Sequence, residues 1–317
     1  MYSRKKIALQ IVLYVIICFG IMYITGAFYL KEDGYLVRNN LRNVVRFLNL
    51  LGLFSPLIAC VILRYASGEG FKDGIMLPKF TGHFRWYFAA IYVPILMGLI
   101  GCVLITIILH EGFTFKNDYG LAVNMLNPAL SLDIVYYNMF LLLGEELGWR
   151  AYLYDKLEDF FRRKERRADI TDISGSGSEK TVSSTNTYGV DKHAVSLSLI
   201  IGGIIWGLWH TQEVVVAGLN FGKDYAGFPY VSIILMCISC IFMGAFLQLL
   251  RKRTDSVIAP TLAHAVLDTS SSLIMVMFLS DKAIVENTFL LGICGLVIPS
   301  IIVGTVSWYL LLRESGK

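Results

Sequence analysis

The sequence predicts an all-α integral membrane protein, with about eight transmembrane helices enclosing a polar intramembrane cavity. Three observations carry that expectation. The 317 residues are 56% hydrophobic and only 16% charged, with a mean hydropathy of +0.61, whereas soluble domains carry about 25% charged residues. Apolar runs of near-spanning length recur along the chain. These runs do not alternate with period two, so they read as helices rather than barrel strands, the two structures that satisfy their backbone in lipid.

The first run, residues 7–30, follows Arg4, Lys5 and Lys6. It is too long for a signal-peptide core and no small-x-small cleavage site follows, so it reads as an uncleaved span. Further spans are expected over residues 48–63, 86–109, from about 132, then over 195–219, 230–250, 257–279 and 289–312. Between the fourth and fifth lies a charged stretch, 151–167. Its aromatic residues Tyr152, Tyr154, Phe160 and Phe161 suggest a helix continuing out of the membrane onto its surface. Residues 168–192, with their Ser-Gly alternation, are too polar to fold alone and read as a disordered cytoplasmic loop. Residues 1–317 thus form a single polytopic membrane domain whose chemistry falls within 130–275. No internal repeat of the kind found in transporters is visible.

The formal charge of +4 matters less than where the basic residues fall. A cytoplasmic N-terminus puts most Lys and Arg in the cytoplasm, including those of 150–192 and Arg251, Lys252 and Arg253. Both termini are then cytoplasmic in a multi-pass cell-membrane protein, and the first loop, with Lys31, Arg38, Arg42 and Arg46, is the exception to the rule. The bilayer is the expected environment, and no nucleic acid is expected as a partner. Six cysteines are scattered through apolar runs, which argues for packing residues rather than a disulfide framework.

Ionisable groups are unfavourable at membrane depth, so those within apolar runs are candidates for function. Glu145, Glu146 and Arg150 close the run that begins near residue 132. His210 follows Trp206 by one turn in the next span, and His264 and Asp268 lie four apart in the seventh. Each group has a structural reading. The first cluster could be a helix end in water, His210 a packed histidine, and the i,i+4 pairs Glu146–Arg150 and His264–Asp268 could neutralise each other. Their accumulation on three separate spans argues instead for one shared polar site.

These residues resemble the signature motifs of the CPBP family, which holds the type II CAAX prenyl endopeptidases and the bacteriocin-processing or self-immunity (Abi) proteins. The matching residues are Glu145-Glu146-x-x-x-Arg150, Trp206-x-x-x-His210 and His264-x-x-x-Asp268, in order over about residues 130–275. The wording Glu-Glu-Leu-Gly-Trp-Arg is of the bacterial style. The second motif often has Phe where Trp206 stands, and the third often has Asn where this chain has Asp268. The resemblance implies intramembrane peptide-bond hydrolysis by a glutamate-activated water, with no cofactor. Glu145 would be the base, His210 would share the water or carry the proton to the leaving amine, and His264 would meet the oxyanion. Asp268 would fix the His264 tautomer. Glu146, Arg150 and Trp206 would support the site, with Arg150 pairing Glu146 and leaving Glu145 free.

A zinc alternative uses Glu145, His210 and His264 as ligands, although the helical His-Glu-x-x-His signature is missing. The substrate would be a membrane-associated peptide: a pheromone, a bacteriocin or a lipidated protein. A non-catalytic immunity or scaffold protein is the alternative function, and a proton-coupled transporter a third. The first motif also makes a structural prediction: the fourth helix should not end at Arg150.

Overall fold

In the computed structural model the described residues are 3–29, 42–71, 77–110, 128–162 and 191–313. The expected disordered loop at 168–192 lies outside them but for Asp191 and Lys192. Among them the chain is helical, and no strand occurs. The elements are α1 (Arg4–Tyr29), α2 (Arg42–Leu53), α3 (Ser55–Ser67), α4 (Phe84–Leu109), α5 (Pro128–Gly148), α6 (Tyr154–Phe161), α7 (Lys192–Trp209), α8 (Tyr230–Thr254), α9 (Ile258–Phe278), α10 (Asp281–Glu286), α11 (Thr288–Gly292) and α12 (Ile298–Arg313). Among the described residues five helical stretches are long and apolar enough to cross a membrane: Arg4–Gly26, Phe84–Leu109, Lys192–Trp209, Tyr230–Thr254 and Thr288–Arg313.

The second expected span is not one helix. It is α2 and α3, meeting at Phe54, with Pro56 in the first turn of α3. Proline fixes φ and has no N–H to give, so it suits a helix start and not a helix interior. Gly68 ends α3 at φ 73°, and its N–H reaches back to the carbonyls of Arg64 and Tyr65. That left-handed cap is open to glycine without steric penalty.

The fourth helix does run on past Arg150. A π-helical turn, Trp149–Leu153, links α5 to α6 without a break. Two of the four aromatics expected at the surface are instead part of the core: Tyr152 and Tyr154 are buried completely, while Tyr14 stacks on Tyr152 and meets Trp149 edge-on, and Phe160 and Phe161 are partly exposed. The fifth expected span is also interrupted. α7 stops at Trp209, His210 sits in a turn, and a second π-helical segment, Gln212–Ala217, comes next.

α7 lies against α8 and α6, and α9 lies against α4 and α5. Gly203 and Gly207, four residues apart, let α7 approach α8. A Cβ at Gly203 would stand 2.4 Å from the Ile241 Cα, and one at Gly207 would stand 2.5 Å from the Cys237 Cα. Small residues at this spacing are how helices come together where lipid is as apolar as the side chains. The approach sets the register of Trp206 and His210 against the rest of the bundle.

Candidate active site

α5, α7 and α9 bring the three motifs to one cavity of about 550 Å³, whose wall includes Glu145, Trp206, His210, His264 and Asp268. The carboxylate pair is no wet helix end: Glu145 is 4% exposed, and Glu146 and Arg150 are fully buried.

The two glutamates have different surroundings. Successive residues on a helix point about 100° apart, so only one of an adjacent pair can face a given cavity. Glu145 is the one on the wall. The indole N–H groups of Trp149 and Trp206 donate to its Oε2, at 3.4 and 3.2 Å. Its Oε1 has no hydrogen-bond partner among the described residues. Glu146 points away and is engaged through Oε1, which accepts from the Arg150 guanidinium at 3.1 Å and meets His264 Nδ1 at 2.9 Å. A buried ion pair of this kind needs further polar contacts to offset its desolvation. Here they come from His264 and from the Trp206 and Tyr154 rings, which lie 4.0 and 5.4 Å from the Arg150 guanidinium carbon.

The histidines share a tautomer, each for the same kind of reason. A carbonyl oxygen only accepts, so the 2.9 Å contact of His210 Nδ1 with the Trp206 carbonyl puts the proton on Nδ1. Neutral His210 therefore offers Nε2 as an acceptor. His264 gives Nδ1–H to Glu146, so its Nε2 donates only in the imidazolium form. The expectation that Asp268 fixes the His264 tautomer is corrected here: Glu146 does so, and the Asp268 carboxylate stands 4.0 Å from Nε2. Trp206 joins all of these groups. Its ring meets His210 and His264 edge-on, at centroid separations of 5.6 and 5.4 Å.

Glu213 and Asn138 are among the cavity residues that the sequence did not single out. Glu213, in the π-helical segment beyond His210, lines the same wall. It lies within an apolar run, so the depth argument that singled out the other carboxylates applied to it too. Asn138 lines the cavity as well and donates to Thr269 at 2.9 Å, tying α5 to α9. Its signal was weaker, because an uncharged amide within a span is common among buried polar residues.

Among the described residues no group of three or more His, Cys, Asp or Glu side chains is arranged to hold a metal ion. The alternative set Glu145, His210 and His264 is not among such groups. Glu145 is turned to two indoles, and the Nδ1 of each histidine is bonded to protein, which leaves Nε2 as the nitrogen each could offer to a ligand.

Residues 127–270 match the family model described as type II CAAX prenyl endopeptidase Rce1-like, a stretch that contains all three motifs. No curated protein matches the chain.

Proposed function

From the premise that this chain, through residues 127–270, belongs to the Rce1-like family of type II CAAX prenyl endopeptidases, we propose that it is an intramembrane endopeptidase. It hydrolyses a peptide bond of a membrane-associated peptide through a glutamate-activated water. The observation that carries this reading is the division of labour between the glutamates: Glu146 is engaged by Arg150 and His264, while Glu145 keeps Oε1 toward a cavity that also holds His210.

In this reading water sits between Glu145 and His210 Nε2. As its oxygen attacks the scissile carbonyl carbon, Glu145 takes the proton, and His210 is the neighbouring acceptor that can share it. The carbonyl electrons move onto oxygen, and the Nε2–H of His264, as imidazolium, stabilises the oxyanion. When the C–N bond breaks, the proton passes to the leaving amine, giving a carboxylate and an amine. Glu146 orients His264, and the two indoles fix the Glu145 carboxylate so that one oxygen remains for the water. No step passes through a metal. The cavity serves a chain that crosses the membrane about eight times with both termini in the cytoplasm.

The test is cleavage of a farnesylated CAAX-type peptide and of its unlipidated counterpart by the protein in liposomes. Glu145→Gln should lower the rate by about 10²–10⁴-fold, the usual contribution of a general base, while the variant still inserts and accumulates. Wild-type cleavage should survive EDTA and phenanthroline. Normal cleavage by Glu145→Gln overturns the assignment, and loss on chelation with recovery in zinc overturns the metal-free route. The two peptides show whether the lipid is part of what is recognised.

A further inference from the structure

The charge on the cavity wall is not used up by the hydrolytic reading. Three carboxylates and two imidazoles line the cavity, Glu145, Glu213 and Asp268 against His210 and His264, with no Lys or Arg among the lining residues. Arg150 is fully buried behind Glu146 and Trp206 and forms no part of the wall. Glu145 is held by two indole N–H groups. Glu213 is half-buried, and its side chain has no hydrogen-bond or ion-pair partner among the described residues. Asp268 has only the 4.0 Å approach of His264, and its side chain is 48% exposed, toward the cavity it lines.

Elsewhere the wall is largely leucine, methionine and glycine. Glu213 has no paired counter-charge against this surface and Asp268 only one histidine at 4.0 Å, so three carboxylates face at most two imidazolium charges, a balance that favours a ligand bringing a cation. A cleft with an excess of one charge sign and low-dielectric walls also concentrates ligands of the opposite sign. Glu213 reaches this wall because helical bonding resumes at His210: the Val214 N–H bonds the His210 carbonyl at 3.0 Å, which keeps residue 213 about one turn beyond 210 on the cavity side.

We infer that Glu213 and Asp268 form the specificity subsite of this cavity and take a cationic side chain, lysine or arginine, of the peptide substrate. The inference rests on the endopeptidase reading for the word substrate, but the recognition itself is a property of the wall. Glu213 and Asp268 flank the reactive set, so the basic residue would lie beside the scissile bond while the lipid-facing part of the peptide rests on the apolar wall.

The experiment measures binding and cleavage separately. Membrane-anchored peptides identical except for Lys, Gln or Glu, scanned through successive positions, are presented in neutral phosphatidylcholine vesicles so that lipid charge does not contribute. At one position at least, wild-type protein should bind the Lys peptide about tenfold or more tightly than the Gln peptide, and the Glu peptide least well. Glu213→Gln and Asp268→Asn should each reduce that ratio toward unity, and Glu213→Asp should restore part of it. A ratio near unity in the wild type overturns the inference, as does a Lys preference that both variants keep. Should Lys be preferred in binding, and the preference be lost in the variants, while no peptide is cleaved, the subsite stands and the endopeptidase reading falls.

Discussion

The indole of Trp206 donates to Glu145, lies under the Arg150 guanidinium, presents its edge to both histidines, and shares its residue's carbonyl with His210 Nδ1. A phenyl ring would keep the face beneath Arg150 and lose only the N–H. Trp206→Phe should therefore lower kcat by about tenfold, the effect of one hydrogen bond to a charged group, with little change in thermal stability. The check is kcat and melting temperature measured on the same preparation. An equal loss in Trp206→Phe and Glu145→Gln would mean that the ring, and not the carboxylate's orientation, limits the rate. Arg150 marks the opposite extreme. Its removal leaves Glu146 charged, buried and short of a partner, a change that costs about 3–5 kcal/mol in comparable pairs and would be read as unfolding before it was read as lost activity.

At the scale of elements, the three described π-helical segments, Trp149–Leu153, Gln212–Ala217 and Ile293–Val297, all border the site. The first comes directly after the Glu145–Glu146 pair and carries Arg150, the second carries Glu213, and the third places Gly295 and Leu296 on the cavity wall. A π-turn inserts an extra residue and so rotates the downstream side chains relative to a regular helix, a device that recurs where side chains must be re-aimed. The α7–α8 approach is the complementary constraint. Gly207→Leu puts a branched side chain where even a Cβ would stand 2.5 Å from the Cys237 backbone. The helices must then separate, carrying Trp206 and His210 away from Glu145. Cleavage should fall at least tenfold, and a cysteine crosslink engineered across α7 and α8 should form more slowly. Wild-type activity in Gly207→Leu would show that the close approach does not position the site.

At the scale of the molecule, α6 joins elements that are far apart in sequence. Lys156 pairs with Glu69 at 2.6 Å beyond the end of α3, Asp155 with Arg251 at 3.1 Å at the end of α8, and Glu158 with Lys252. The Arg4 guanidinium donates to the Arg162 carbonyl at 2.8 Å, closing α1 onto the same face. Burial raises the Glu69 carboxyl, but the hydrogen bonds from Lys156 and Gln10 outweigh it and hold the group below its ordinary value. A carboxyl lowered on folding contributes stability that is present above its unfolded value of about 4.3 and is lost as pH falls through the lower folded value. Glu69→Gln should therefore lower the melting temperature at pH 7 by a few degrees and flatten its decline between neutral and strongly acid pH. Parallel melting curves for variant and wild type across that range would remove Glu69 from the acid response.

Membrane residence, helical class, the continuation of the fourth helix past Arg150 and the convergence of three motifs were all legible in the linear chain. They follow from properties that add residue by residue: apolar length, missing charge, and ionisable groups where lipid does not tolerate them. The i,i+4 spacing of Glu146 and Arg150 likewise announced their ion pair. What the chain did not announce was decided between helices. Only packing gives His264 to Glu146 rather than to Asp268, four residues away on its own helix, because a partner 118 positions distant can approach more closely than one held at a fixed helical pitch. Only packing adds the Trp206 N–H to the Glu145 oxygen that Trp149 reaches from one helical turn away, and turns Glu213 from one more letter in an apolar run into a charge facing the cavity. Periodicity tells which residues share a face of one helix. Which faces meet is settled by close glycine contacts and π-turns, whose effects are felt across the bundle and leave no periodic trace in the sequence.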